Sequence, residues 1–485
     1  MNIKVQEYKP QSFTSDCTVL FFTKESYKIE TKKYPELSGL IESGDFTAEK
    51  GAVSVAYSGS NKSSRTIVVG LGETSKVSIE NIRVASASAS QRAKALKCKT
   101  IAFLLPTIEN LGLEDISVAT IEGSVLGTYS YNKYFTMKKD IVNIENIILL
   151  TEKNNIKIVQ EGVRIGKCIT EGVCFSRDLI NAPSNELFPM ELASRAKSLS
   201  KLGVKVTILG KKELVKNKMG GILAVSQGSQ YEPAVVVMEY NGGGKERPIG
   251  LVGKGLCFDS GGISIKGAAG MGEMKMDMGG AGAVVGAMHS IASLKLKKNV
   301  VAVIGCSENM PSGTAYKPGD VITFMNGKTA EIDNTDAEGR IVLGDCLTFI
   351  DKYKPSHVVD FATLTGAICV SLGNVTSGLF GKDEDFNSKL KSAGERTYDR
   401  VWEMPLHEEY EELIKSDIAD VKNSGGKLGG SITAALFLQH FIGNYKWAHI
   451  DIAGTGIFPS QKGYLNKGGT GAGARLIIDL VRNWN

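Results

Sequence analysis

Three short segments of this 485-residue chain gather side chains that could do chemistry together. The first runs Val252-Gly253-Lys254-Gly255-Leu256-Cys257-Phe258-Asp259-Ser260-Gly261-Gly262-Ile263-Ser264-Ile265-Lys266 and sets a carboxylate between two lysines. An apolar run delivers Lys254 at the predicted end of a strand, and the glycines that follow permit tight turns able to aim Asp259 and Lys266 back toward it. The second, Met274-Lys275-Met276-Asp277-Met278-Gly279-Gly280-Ala281, opens a helix whose Val284, Met288 and Ile291 recur at helical spacing. On local grounds Asp277 reads as an N-cap. The third, Asp333-Asn334-Thr335-Asp336-Ala337-Glu338-Gly339-Arg340, packs acids, a glycine and an arginine into a predicted strand-to-helix junction.

Common alternatives fail on spacing. The first segment lacks the GK[ST] ending of a phosphate loop. Counted from Asp333 as a calcium loop, position 5 is Ala337 and position 6 is Glu338, where an EF-hand needs an oxygen ligand and a glycine. Together the segments offer the carboxylates Asp259, Asp277, Asp336 and Glu338 and the cations Lys254, Lys266 and Arg340. Charges taken out of water need partners or bound metal, and two divalent ions would balance four carboxylates. Oxygen-rich ligation without histidine suits Mg²⁺, Mn²⁺ or Zn²⁺. All five histidines (His289, His357, His407, His440, His449) lie outside these segments and read as structural.

The elements that must position these groups alternate. Predicted strands at 18–22, 66–72, 100–105 and 146–151, with a small-residue helix at 79–97, make a compact N-terminal α/β domain over residues 1–153. A long helical stretch, 154–180, reads as a linker that ends at Pro183. Residues 181–485 repeat strand and helix units, with strands at 205–209, 234–240, 249–252, 299–305 and 357–362 and helices near 190–202, 277–295 and 339–353. The expected fold is α/β in two domains, the larger C-terminal one built on a central mixed sheet flanked by helices. In such folds ligands bind at the carboxyl ends of strands. Gly242-Gly243-Gly244 reads as a hairpin turn.

Composition narrows the function classes. With 42% hydrophobic and 22% charged residues the chain is globular. A formal charge of +5, with 57 basic residues interspersed among 52 acidic ones, leaves no electrostatic footprint for nucleic acid. Eight dispersed cysteines without a CxxC pair fit a reducing compartment. No apolar run approaches the roughly 20 residues that span a bilayer. The expected location is cytoplasmic, with no membrane partner.

These segments resemble the leucyl aminopeptidases, also called cytosol aminopeptidases. The likeness rests on Val252-Gly253-Lys254-Gly255, the Phe258 to Lys266 run, Met276-Asp277-Met278-Gly279-Gly280-Ala281 and above all Asn334-Thr335-Asp336-Ala337-Glu338-Gly339-Arg340. It extends to Arg177-Asp178-Leu179-Ile180-Asn181-Ala182-Pro183, Gly430-Ser431-Ile432-Thr433-Ala434-Ala435 and Trp447-Ala448-His449-Ile450-Asp451-Ile452-Ala453-Gly454. The resemblance implies that Lys254, Asp259, Asp277 and Glu338 ligate a tightly held ion, and that Asp259, Asp336 and Glu338 hold a more exchangeable one. It implies Lys266 and Arg340 as the catalytic pair, Arg340 anchoring a bicarbonate ion that acts as general base. A lysine that ligates metal must be a neutral amine. Mn²⁺ or Zn²⁺ are the expected ions, with Mg²⁺ or Co²⁺ as alternatives. The implied reaction is release of N-terminal residues, leucine and other apolar ones favoured, from peptides with a free amino terminus, by a hydroxide activated between the two ions.

By the same resemblance Met274, Thr363, Gly366 and Ala453 line the pocket for the first side chain. Gly272 and Gly456 depart from residues common in the family, and a small residue at 456 would either widen that pocket or simply form a turn. The resemblance also implies a homohexamer. Some bacterial members bind DNA as well, a second reading that the near-balanced charge argues against.

Overall fold

The computed structural model describes residues 1–9, 13–30, 33–57, 65–137 and 142–484. Continuous apolar runs become strands buried on both faces, as parallel sheets require. The N-terminal sheet comprises β1 (Asn2–Glu7), β2 (Cys17–Thr23), β3 (Val53–Tyr57), β4 (Arg65–Gly72), β5 (Thr100–Leu104) and β6 (Asn146–Thr151), in the order β1-β6-β5-β2-β4-β3, with the buried strands inside and β1 and β3 at its edges. All neighbours are parallel except β3 against β4. β1 and β3 went unread in the sequence because these edge strands are only partly buried and lack a long apolar run.

The helices Ile79–Ala95 and Leu113–Thr128 pack tightly because the small residues allow it. A Cβ on Gly123 would lie 2.1 Å from the Arg83 carbonyl oxygen, and one on Gly127 would lie 2.7 Å from Ala87 Cβ. The contact buries an ion pair, Arg83 Nε to Glu122 Oε2 at 2.6 Å.

The second sheet has eight strands: β7 (Lys205–Leu209), β8 (Ala234–Asn241), β9 (Ile249–Asp259), β10 (Asn299–Asn309), β13 (His357–Ala362), β14 (Ser377–Gly381), β15 (Val401–Glu403) and β17 (Lys446–Asp451). A small three-stranded sheet accounts for β11 (Val321–Thr323), β12 (Thr329–Glu331) and β16 (Val421–Lys422). The large sheet is mixed and runs β15-β14-β17-β13-β9-β10-β8-β7. Its four central strands, β17, β13, β9 and β10, are parallel. Their carboxyl ends therefore come to one edge, at Asp451, Ala362, Asp259 and Asn309.

Two local readings change. β9 continues to Asp259, so Lys254 stands inside the strand and not at its end. Gly255 suggests a turn in sequence but, like Gly253, serves packing here. A Cβ on Gly253 would come within 2.8 Å of Ala281 Cα, because the helix Gly279–Leu294 lies directly on the strand. Gly242–Gly244 makes no hairpin, since β8 and β9 flank opposite sides of β10.

The chain divides into two compact units, Met1–Thr170 with Ser460–Asn466, and Glu171–Pro459 with Lys467–Asn485. The division falls inside the helix Ile156–Asn181. Among the described residues no helix is long and apolar enough to cross a membrane.

Helix-to-sheet contact yields a direct test. A Cβ on Gly280 would sit 1.9 Å from the Phe361 carbonyl oxygen, a backbone atom that cannot swing aside, whereas one on Gly267 meets nothing within 4 Å. Gly280→Ala is expected to lower the thermal unfolding midpoint, overpacking costing about 1–3 kcal/mol. Gly267→Ala is expected to leave it in place. Equal midpoints for the two variants would contradict the packing.

Candidate metal centre

Lys254 projects from β9 into a buried pocket of acids. Its Nζ lies 2.8 Å from Asp277 Oδ1, 2.9 Å from Glu338 Oε1 and 3.0 Å from the Thr363 carbonyl oxygen. Gly339 leaves room for that side chain to pass, since a Cβ there would come within 2.5 Å of Lys254 Cε. The glycine of the third segment is thus a steric requirement of the first.

Asp259 ends β9, and the chain turns at once through Gly261 (φ 87°) and Gly262 (φ 65°), a conformation that favours glycine. The turn closes with Lys266 N–H donating to the Ser260 carbonyl at 2.9 Å, which brings Lys266 back over Asp259. Lys266 Nζ reaches Asp259 Oδ2 at 2.8 Å and also pairs with Asp336 Oδ1. Asp336 sits in the turn before the helix Glu338–Ile350, its N–H held by Asn334 Oδ1 at 2.9 Å.

Asp277 is not the helix N-cap. That position falls to Met278, and the Asp277 carboxylate instead accepts from Lys254 Nζ and, at 2.8 Å, from Thr363 Oγ1. The capping preference of Asp loses here to a buried ammonium group, a stronger partner than a backbone N–H.

Carboxylate oxygens of Asp259, Asp336 and Glu338 all lie within 4.8 Å of one another. Asp277 joins them through Lys254. Four carboxylates thus face two ammonium groups, and the surroundings register the deficit. Burial, reinforced by the neighbouring Asp259, pushes the Glu338 carboxyl up to about 8. Burial likewise raises Asp277 to about 6 and lifts Asp336 above its ordinary value. Glu338 Oε2 is buried with no hydrogen-bond partner. Burial works against the charge of Lys254, yet the attraction of Asp277, Glu338 and Asp259 holds its pKa above the usual lysine range. Lys266 is held up by Asp259 and Glu338 in the same way. An all-oxygen cluster short of positive charge, with a carboxylate oxygen left over, fits divalent cations.

Arg340 stands slightly apart. It forms no ion pair with the four carboxylates; Nη1 donates to the Asn423 carbonyl at 2.8 Å and Nε has no partner. Burial lowers its guanidinium to about 10. Spare donors on a buried cation suit an anion.

Of the residues expected to line a substrate pocket, Thr363 touches the centre directly, through Lys254 and Asp277. Met274 lies in the 3-10 turn Met271–Met276 that leads to Asp277. Gly366 opens a helix toward empty space, with nothing within 4 Å of a Cβ built there. Ala453 N–H and Leu364 N–H donate to Asp451 Oδ1 at 3.1 and 3.0 Å, and Thr365 Oγ1 donates to Oδ2 of the same carboxylate at 2.7 Å. Gly456 closes a turn on the Ile452 carbonyl at 2.8 Å, and a Cβ there would press on Thr363 Cγ2 at 3.3 Å.

No histidine enters the acidic cluster. His449 is buried with Nδ1 2.6 Å from Asp360 Oδ1, a pair that ties β17 to β13. Sequence reading missed Asn309, Asn423 and Asp451, the polar residues that hold the acids and their loops. Their only local sign is a polar side chain closing an apolar run or standing in a loop.

Comparison with known proteins gives the same picture. The catalytic-domain model of the cytosol aminopeptidase family matches residues 174–478, and the family's N-terminal domain model matches residues 20–138. The chain is 43% identical over 490 residues to a probable cytosol aminopeptidase of Roseiflexus castenholzii, covering 100% of this chain and 99% of that one. A counterpart in Chloroherpeton thalassium is 38% identical over 511 residues, with both chains fully covered. Among solved structures, a mutant of tomato leucine aminopeptidase superposes with a TM-score of 0.89 at 30% identity, covering 99% of this chain and 96% of its own. The bottromycin maturation enzyme BotP in complex with Mn superposes with a TM-score of 0.87 at 30% identity, covering 96% and 99%. With both domain models matched in order and an oxygen-rich acidic centre at the strand ends, this chain belongs to the cytosol aminopeptidase family and is a metal-dependent aminopeptidase.

Proposed function

We propose that the chain releases N-terminal residues, leucine and other apolar ones preferred, from peptides with a free amino terminus, using two divalent ions in the acidic centre. The observation that carries this reading is the meeting of Asp259, Asp336 and Glu338 within 4.8 Å, beside Lys254 and Asp277. Lys254, Asp259, Asp277 and Glu338 would hold one ion, and Asp259, Asp336 and Glu338 the other. Mn²⁺ is favoured by the manganese complex of BotP, with Zn²⁺ its main rival. Bound there, the ions supply Lewis acidity and a hydroxide nucleophile at neutral pH.

The chain's own groups do the rest. Lys266, with its side chain 23% exposed and three donors, can follow the scissile carbonyl oxygen as it gains charge. Arg340 offers its spare donors to a bicarbonate ion, which would serve as the base that takes up the proton. Thr363, Met274, Gly366 and Ala453 would receive the first side chain, and the small Gly456 behind Thr363 supports room for more than leucine. The reading also carries residues 1–153 as an N-terminal domain, 154–180 as a connecting helix, 181–485 as the catalytic domain, and a cytoplasmic homohexamer, supported by the family membership. A panel of X-Gly dipeptides tests the side-chain preference: leucyl and methionyl substrates are expected to be cleaved faster than aspartyl or lysyl ones.

Two further outcomes are expected. Lys266→Ala should lower hydrolysis of leucyl-p-nitroanilide in manganese by at least about 100-fold, the scale of losing one transition-state donor, and Asp336→Ala should lower it as well by removing a ligand of the second ion. Unchanged rates would refute the assigned roles. Loading should also release protons. Lys254 must give up one to become a ligand, and the raised carboxyls of Glu338 (about 8) and Asp277 (about 6) must be ionised to bind, so affinity rises with pH through that window. Calorimetric titration of the ion-free protein with Mn²⁺ at pH 7, in two buffers of different ionisation enthalpy, should show more than one proton released per chain. Buffer-independent heats would show that neither change occurs.

A further inference from the structure

We propose that Asn309 is a positioning residue for this centre: it occupies Oδ1 of Asp259, so that the carboxylate turns only Oδ2 toward cations, and it ties that orientation to the loop carrying Asp336. The inference rests on the reading of Asp259 as a metal ligand.

Asn309 is the last residue of β10 and is completely buried. It lies opposite Asp259 in the parallel pairing of β10 with β9, just past a break in register after Ser307. That irregularity turns an otherwise continuous apolar strand so that an amide faces the centre. Nδ2 donates to Asp259 Oδ1 at 2.9 Å and to the Thr335 carbonyl at 2.9 Å. Both partners are acceptors, so the chemistry itself sets which end of the amide faces them. Gly261 N–H adds a second donor to the same Oδ1 at 2.8 Å. With Oδ1 doubly occupied, Oδ2 is left for Lys266 at 2.8 Å.

The backbone of Asn309 works toward the same end. Its carbonyl accepts from Ser260 N–H at 3.0 Å and Ser260 Oγ at 2.8 Å, which pins the residue after Asp259. Asn309 Oδ1 has no hydrogen-bond partner and would lie 2.7 Å from a Cβ on Gly262, so the turn needs glycine there partly to admit this amide. One side chain thus joins β9, β10 and the Asp336 turn at the point where their acids converge. Groups that orient metal ligands typically change affinity about 10–100-fold when removed.

The test uses the full chain stripped of ions and titrated with Mn²⁺, the free hexaaqua ion being read by electron paramagnetic resonance. Wild-type protein is expected to take up two ions per chain. Asn309→Ala is expected to weaken uptake about 10–100-fold. Asn309→Ser, whose hydroxyl is too short to reach both partners, gives the same reading should the alanine variant not fold. Asn387→Ala is the control, because Asn387 is equally buried but bonds Gly381 and Glu403 instead. It should lower the unfolding midpoint and leave Mn²⁺ affinity at the wild-type value. A folded Asn309 variant that binds both ions like wild type would overturn the positioning role while leaving the metal reading intact. Wild-type protein that takes up no Mn²⁺ would overturn both.

Discussion

Four carboxylates gathered at one edge of a sheet, three of them buried and Asp336 partly so, are the constraint on which the rest of the catalytic unit depends. Asp259, Asp277, Asp336 and Glu338 repel one another, and burial together with the charge of Asp259 raises the other three above their ordinary values. Such a cluster persists only with positive charge inside it. The protein supplies two ammonium groups, Lys254 between Asp277 and Glu338, and Lys266 between Asp259 and Asp336. Each lysine stands among the acids that a divalent ion would also draw together. The two lysines therefore hold the acids by the same electrostatics that would bind metal.

Delivering those groups to one place sets strict terms for the backbone. Lys254 lies within β9, so its side chain must cross the space between strand and helix to reach Asp277 and Glu338. Glycine makes the path. Gly253 and Gly280 bring the helix Gly279–Leu294 onto the sheet, and Gly339 clears the lysine stem on the other side. A Cβ at any of these positions would meet a neighbouring atom within 3 Å and force the helix, the strand or the lysine stem aside. Polar residues then lock what the glycines admit: Asn309 holds Asp259 and Thr335, Asn423 accepts from Arg340, and Asp451 holds the loop from Leu364 to Thr365.

Membership of the cytosol aminopeptidase family accounts for the motifs and the mixed sheet, and the geometry explains why motifs far apart in the chain occur together. Lys254 and Glu338 are 84 positions apart yet share one ion pair at 2.9 Å. Gly339 belongs to the same requirement, because its missing side chain is the space Lys254 occupies. A change in one segment is thus felt in the other through contact.

Chemistry was legible in the sequence because it depends on residue type. Acids, lysines and glycines crowd three segments, histidine is absent from them, and the alternation of strand and helix patterns marks an α/β fold with its site at strand ends. Continuous apolar runs such as those of β2 and β10 declare themselves without any partner, since burial on both faces leaves its mark on every residue. What only the tertiary structure decided was the use of residues whose local preferences mislead. Gly255 looks like part of a turn but lies within a strand, where a Cβ would come within 2.6 Å of the Gly305 carbonyl oxygen on the neighbouring strand. Asp277 looks like a cap but serves a buried ammonium group 23 positions earlier in the chain. Asn309 carries only the weak local mark of a polar residue closing an apolar run; its role comes from standing opposite Asp259 across a parallel pair. Residue type fixes which interactions are possible, whereas long-range packing selects the ones that form, and in a buried charged centre the strongest available partner prevails over local propensity.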